Sequence, residues 1–330
     1  MRPVPTGPGQ AEAPTILISM RLGSHSAIRR VVGSLAALAC AAGAALAGPA
    51  GAAGAGDERF HPTAAVQEEA ARVARYWTPA RMRSAPPLDA PSGAVPLAGA
   101  SFAQVPDPTV PPHSVNGRLF VRQGGRQGYC SATAINSPSR RLVLTAGHCI
   151  NSGPILRPGD GAWSSFLEFV PAYSGGAAPF GAFIAHRKQI FAPRQWVQFG
   201  NPNFDVGAVL TTANAAGVNV ADAVGGGAAI ALDRSRQEEF QTFGYPGTTR
   251  WMQGCESPYV GDDALTYTIP GPPTIAIRCH WAPGASGGGW LIEGGTVIDG
   301  LTSYGKRGDP LHTYGPYFSR RNVGNLVAGL

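Results

Sequence analysis

Lysine is almost missing from this chain of 330 residues: it occurs only at Lys188 and Lys306, so arginine carries nearly all the positive charge. Charged residues of either sign make up only 14%, and the formal net charge is a modest +6. No dense basic stripe interleaves with aromatics, which argues against nucleic acid as a partner. There is no Cys-x-x-Cys pair and no His-x-x-x-His spacing, so nothing calls for a metal, and no cofactor is implied. Long apolar runs are scarce too. The one candidate, Val31 to Ala47, is marginal in length and rich in Gly and Ala, a poor membrane span. What abounds is Gly, Pro and Ala, so helices should be few and turns many.

The same apolar run makes a better export signal. Residues 1–19 are polar and Pro-rich, and Met20 begins a more ordinary leader. Arg21, Arg29 and Arg30 form its positive n-region, and Ala45-Leu46-Ala47 is a small-x-small cleavage site. Residues 1–47 are therefore read as a signal peptide, with translation starting at Met1 or Met20, and the protein as secreted. Arg29-Arg30 also permits the twin-arginine route. Ala37-Leu38-Ala39-Cys40 loosely resembles a lipoprotein box, which leaves acylation of Cys40 as a minor alternative. Setting Cys40 aside leaves Cys130, Cys149, Cys255 and Cys279. An exported chain with four cysteines favours two disulfides. The sequence-local pairings 130–149 and 255–279 would each close a moderate loop.

Residues 48–115 have their own texture. Thr63 can cap a helix from Ala64 to Trp77, with Val66, Ala70, Val73 and Trp77 on one face. A Pro/Ala/Ser/Gly stretch, 85–112, follows with almost no periodicity. Helix and linker together read as a pro-segment, an inhibitor or folding aid for the rest, or else as an extension that stays attached. From Asn116 the chain becomes a series of short strands: 118–121, 129–135, 141–146, 182–185, 206–210, 241–244, 274–278, 289–292, 297–301 and 314–318. Gly, Pro, Asn and Ser turns separate them, which indicates an all-β barrel or sandwich over 116–330. Only the tail reads helical, with Ser319 as its cap and Val323, Leu326, Val327 and Leu330 on one face.

Chemistry concentrates at three places. Leu-Thr-Ala-Gly-His-Cys, 144–149, anchors His148 at a strand end beside a candidate disulfide, which suits a general base that must sit within hydrogen-bond reach of its proton. Ser286 lies in Gly284-Ala285-Ser286-Gly287-Gly288, where the glycines let a backbone approach and turn N–H groups inward. Of the aspartates between them, Asp160, Asp222, Asp233, Asp262 and Asp263 sit in polar or turn-like contexts. Asp205 alone opens an apolar strand. His, Asp, Ser is the chain order of one triad type and differs from the orders of subtilisins and α/β-hydrolases. A hydrolase elbow around Ser286 would need Asp299 or Asp309 with His312, and would leave His148 idle.

These residues resemble the chymotrypsin/trypsin-fold serine proteases, in particular the secreted bacterial branch that includes the glutamyl endopeptidases. The resemblance spans roughly 116–330. Thr145 to Cys149 looks like that family's histidine motif, with Cys130 as the partner of Cys149; Asp205 looks like its aspartate segment and 284–288 like its serine motif. It implies two six-stranded antiparallel β-barrels with a short C-terminal helix, a cleft between them, and a monomeric endopeptidase acting on polypeptides through an acyl-enzyme. Gly284 and Ser286 N–H groups would form the oxyanion hole. Ser303-Tyr304-Gly305 resembles the substrate-pairing strand and Gly315-Pro316-Tyr317 the pocket wall, while His280 and Trp281 would shape the pocket.

The chain departs from the family at Ala285, where Asp is usual, and at Gly289-Trp290, where Pro is common. The Asp-based activation switch should then be absent, leaving removal of a covering pro-segment. Neither the acid of Arg/Lys-cleaving members nor the histidine of Glu-cleaving ones is in place, since those positions hold His280 and Thr302. His280 could favour an acidic side chain or merely pack beside Cys279. The competing class is a non-catalytic secreted binding module on the same scaffold.

Overall fold

Leu119, Phe120 and Val121 are consecutive, yet all are fully buried. Side chains alternate across a strand, so both faces of this one must be covered. The computed structural model, which describes residues 64–90, 102–154, 159 and 161–330, accounts for both. After a two-residue strand β1 (Ala103–Gln104) come β2 (Asn116–Gln123), β3 (Arg126–Ala134), β4 (Leu142–Thr145), β5 (Ser165–Pro171), β6 (Phe183–Phe191) and β7 (Gly207–Thr211). The last six close into an antiparallel barrel in the order β2-β3-β4-β7-β6-β5. One face of β2 points into that barrel. The other is roofed by helix α1 (Ala64–Tyr76) and Trp77, whose ring lies 5.3 Å from Phe120 and whose indole N–H donates to the Phe166 carbonyl at 2.6 Å. Val73 and Trp77, on the apolar face expected from the sequence, are 1% and 2% exposed. The expected leader with Met20 and Cys40, the Thr63 cap and Asp160 lie outside the described residues.

The second sheet contains β8 (Ala229–Ile230), β9 (Glu239–Gly244), β10 (Gln253–Asp262), β11 (Ile275–Ile277), β12 (Gly289–Ile292), β13 (Val297–Leu301), β14 (Tyr304–Lys306) and β15 (Asp309–Gly315). Their order is β14-β15-β11-β10-β9-β12-β13-β8, with β1 added beside β10. All neighbours are antiparallel except β13 and β8. β13 and β15 come together at Gly315, where a Cβ would stand 2.0 Å from the Leu301 carbonyl oxygen. In the turn from β13 to β14, the Ser303 N–H donates to the Tyr314 carbonyl at 3.0 Å. Phe240, Ile275, Ile277, Trp290 and Ile292 form the core of this half. Of the two six-stranded antiparallel barrels expected, one closes with six strands and the second half is a nine-stranded sheet; with the short helical tail this is a chymotrypsin-like fold.

The tail winds through Arg320–Gly324 and Asn325–Val327. Ser319 caps it as expected, its N–H and hydroxyl both donating to Asn322 Oδ1 at 2.9 Å. Val323 is buried, with Leu326, Val327 and Leu330 packed beside it. Both expected disulfides are present. Cys130–Cys149 ties β3 to the one-turn helix α3 (Gly147–Ile150), and Cys255–Cys279 ties β10 to the residues after β11.

Loop closure over a separation of 19 residues should make the first bridge contribute roughly 3 kcal/mol. Replacing both Cys130 and Cys149 by Ser is expected to lower the unfolding free energy by about that amount in a denaturant titration. An unchanged midpoint and slope would contradict it.

Candidate active site

A carboxylate buried as deeply as Asp205, 2% exposed, must find donors for its oxygens or lose its charge. The local fold supplies three. The short 3₁₀ turn Pro202–Phe204 delivers Asp205 just ahead of β7, and β7 pairs with β4, so Asp205 arrives beside α3. There the His148 backbone N–H donates to Oδ1 at 2.7 Å, and His148 Nδ1 faces Oδ2 at 2.8 Å. The third donor is the Ser303 hydroxyl, 2.5 Å from Oδ2. Gly147 makes this approach possible, because a Cβ there would lie 2.9 Å from Asp205 Oδ1. Burial pushes the Asp205 carboxyl up, but the imidazole and these hydrogen bonds outweigh it and hold it below the usual range. The other aspartates weighed for this place are engaged elsewhere: Asp222 with Arg140, Asp233 with Arg320, Asp262 with Arg236 and Asp263 with Lys306. Asp309 pairs with His312.

With Nδ1 committed to Asp205, His148 offers Nε2 for proton transfer, and that atom is buried with no hydrogen-bond partner. Burial lowers the affinity of the ring for a proton. The Asp205 charge and hydrogen bond, with a further contribution from Asp89, more than reverse this and raise His148 to about 9.

The serine loop is gripped from both halves. The Ser131 N–H donates to the Ser286 carbonyl at 2.8 Å, and the Gly287 N–H to the Thr302 carbonyl at 2.7 Å. The Ser131 hydroxyl donates to the Gly284 carbonyl and accepts from the Tyr245 N–H, both at 2.9 Å. Gly284 has φ +96°, and a Cβ there would lie 2.6 Å from the Tyr245 carbonyl oxygen, so only glycine fits. Ala285 is fully buried in the second core, where its methyl group packs beneath the turn.

The Ser286 hydroxyl does not point to His148. It donates at 2.6 Å to Asp89 Oδ2, and the Gly284 N–H donates to Asp89 Oδ1 at 2.8 Å. Asp89 lies in the stretch that the sequence reads as a featureless linker. No periodicity could reveal it, because the contact spans 197 residues. Ser131 and Gln123, whose amide donates to the His148 carbonyl at 2.9 Å, were also unforeseen.

The remaining candidates fall in several places. Ser303 spends its hydroxyl on Asp205. Tyr304 stacks on Tyr314 and donates to Asp263 at 2.7 Å. Gly305 is exposed, with open space where a Cβ would be. Gly315 serves the close approach of β13 and β15 described above. Trp281 is buried, stacked on Phe102 at 4.3 Å, with its ring N–H on Thr242 at 3.2 Å. His280 is half-buried and its Nδ1 is enclosed without a partner. Cys130, His148 and Cys149 cluster at metal-ligand distances, but the two sulfurs are bonded to each other and are not thiolates.

Barrel, sheet and cleft residues in this arrangement define the chymotrypsin-like serine protease fold. The chain is similar to the protease Anisep from Arthrobacter nicotinovorans, at 29% identity and a TM-score of 0.57 over 66% of this chain and 94% of that one. It is also similar to the thermostable serine protease AL20 from an extremophilic microorganism, at 26% identity and TM-score 0.54, over 62% and 92% of the two chains. A Glu endopeptidase shares the fold at 17% identity and TM-score 0.55, over 70% and 96%. No protein-family model matches the sequence, and a search of curated proteins finds no match. These structural neighbours are proteases, which supports a protease function. Among the described residues no helix is long and apolar enough to cross a membrane.

Because the folded value of His148 exceeds the ordinary ~6.5, the stabilisation from its pairing is fully present below that pH and fades as pH rises through about 9. In an NMR titration the His148 ring should stay protonated through neutrality and lose its proton near that upper value. Asp205→Asn should move the inflection down. A wild-type inflection at the ordinary histidine value would contradict the assigned pairing.

Proposed function

We propose that this chain is a secreted serine endopeptidase whose triad is His148, Asp205 and Ser286. The observation that carries this is the convergence of the Gly284 N–H and the Ser286 hydroxyl on one carboxylate, at 2.8 and 2.6 Å. Oδ1 of that carboxylate, on the Gly284 N–H, stands in for an oxyanion, while Oδ2 only accepts from the Ser286 hydroxyl. An atom within reach of Ser286 Oγ is thus also within reach of a backbone donor, as an oxyanion hole requires.

In the reaction, Ser286 Oγ bonds to the scissile carbonyl carbon while its proton passes to His148 Nε2. Asp205 fixes the imidazole with Nδ1 protonated and stabilises the cation that forms. The oxyanion is held by the N–H groups of Gly284 and Ser286. On collapse the C–N bond breaks, and the amine leaves with the proton from His148. Water then hydrolyses the acyl-enzyme by the same route, with His148 again accepting and returning a proton. An extended substrate would add a strand along Ser303, Tyr304 and Gly305, because β14 is the last strand of its sheet and has a free edge. His280 and Gly315 would border the pocket for the side chain next to the scissile bond. In this reading residues 1–47 are the export signal, 48–115 the pro-segment and 116–330 the protease domain.

A fluorophosphonate tests the nucleophile: Ser286 Oγ forms a bond to phosphorus, fluoride leaves, and His148 takes the proton. Intact mass should show a single adduct on the chain and none on Ser286→Ala. Made together with Asp89→Ala, Asp205→Asn should lower kcat on a peptide substrate by about 10⁴-fold relative to Asp89→Ala alone, since the imidazole would be held in the wrong tautomer. An adduct that persists in Ser286→Ala would overturn the assignment.

A further inference from the structure

The stretch that reaches Ser286 is built into the fold over a considerable length. Trp77 locks α1 against the barrel, and the following helix α2 (Pro79–Ser84) buries Met82, with Ala85 and Leu88 buried beyond it. Pro86 to Leu88 then lie alongside β3. The Tyr129 N–H donates to the Pro86 carbonyl at 3.0 Å and the Leu88 N–H to the Tyr129 carbonyl at 2.9 Å. These two bonds make a parallel bridge between Pro87 and Tyr129, fixing the height at which the next side chain enters the cleft. That side chain is Asp89, and both of its oxygens are used: one on the Gly284 N–H, one on the Ser286 hydroxyl.

We propose that Asp89 is an intramolecular plug, its carboxylate filling the oxyanion pocket and holding the Ser286 hydroxyl off His148, so that the chain is latent until this segment is displaced. The proposal rests on the triad reading above, and it names how that site is regulated. Three features suit a block rather than a substrate. The group on the Ser286 hydroxyl is a side-chain carboxylate rather than a peptide carbonyl. A carboxylate is a poor acyl donor, because attack on it would have to expel oxide. Its negative charge also favours the protonated imidazole, which cannot accept the serine proton. The buried Ala285 adds a reason for such a device. The serine loop lacks the aspartate of the resembled family's activation switch, and its Gly284 N–H is already turned toward Asp89.

The test compares fluorophosphonate labelling rates of the full chain with those of Asp89→Ala and Asp89→Asn, followed by intact mass, with thermal unfolding to show that each is folded. Two charge-assisted hydrogen bonds are lost, so Asp89→Ala should label roughly tenfold faster or more. Asp89→Asn, which keeps the shape and loses the charge, should fall between the two, and covers the case in which the alanine variant fails to fold. Equal rates in wild type and both variants would overturn the plug while leaving the triad standing. Folded variants that never label would overturn the triad reading and the plug with it.

Discussion

One buried charge organises the cleft. Asp205 is enclosed by protein, and an unpaired carboxylate in that setting would cost several kcal/mol. Its three donors come from two directions: the His148 N–H and ring from α3, after β4 of the barrel, and the Ser303 hydroxyl from the turn between β13 and β14 of the second half. Satisfying Asp205 therefore fixes the imidazole's orientation and the seam between the halves together. The disulfide to Cys130 and the contact under Gly147 are adjustments around that constraint, since each lets α3 stand where the carboxylate needs it.

Ser131 plays the matching part for Ser286, the proposed nucleophile. It sits on the same strand as Cys130, and through its N–H and hydroxyl it holds both ends of the serine loop and the start of the Tyr245 turn. Loop glycines provide the permissive backbone, but the shape is imposed from the opposite barrel. The result is a Gly284 N–H held in place beside the Ser286 hydroxyl, which in the proposed reaction would stabilise an oxyanion without reorganisation. In this state the donors face Asp89, and the roof of α1 and Trp77 that delivers it also covers the outer face of β2.

What was legible in the sequence follows from how local each signal is. His148 was readable because Thr145 to Cys149 packs strand end, turn and disulfide into five residues. The strands at 289–292 and 297–301 were placed to the residue, since each is largely apolar and follows closely on a glycine pair, Gly287-Gly288 and Gly294-Gly295. Strand β5 was missed because Phe166 to Val170 has Glu168 in its middle, and burial of that carboxylate breaks the expected pattern. Strand β10 was missed because Gly254, Pro258 and Gly261 read as turns, while its pairing with β9 and β11 comes from distant chain. Asp89, Ser131 and Gln123 act through partners 25 to 197 residues away. No periodicity or local propensity carries such contacts; only the folded topology creates them.

The most direct measurement is a crystal structure of the chain after reaction with a fluorophosphonate. The account requires phosphorus bonded to Ser286 Oγ, a phosphoryl oxygen on the Gly284 N–H, His148 still held by Asp205, and Asp89 displaced from the pocket. Phosphorus on any other residue, or a phosphoryl oxygen turned away from Gly284 with Asp89 still in place, would contradict it.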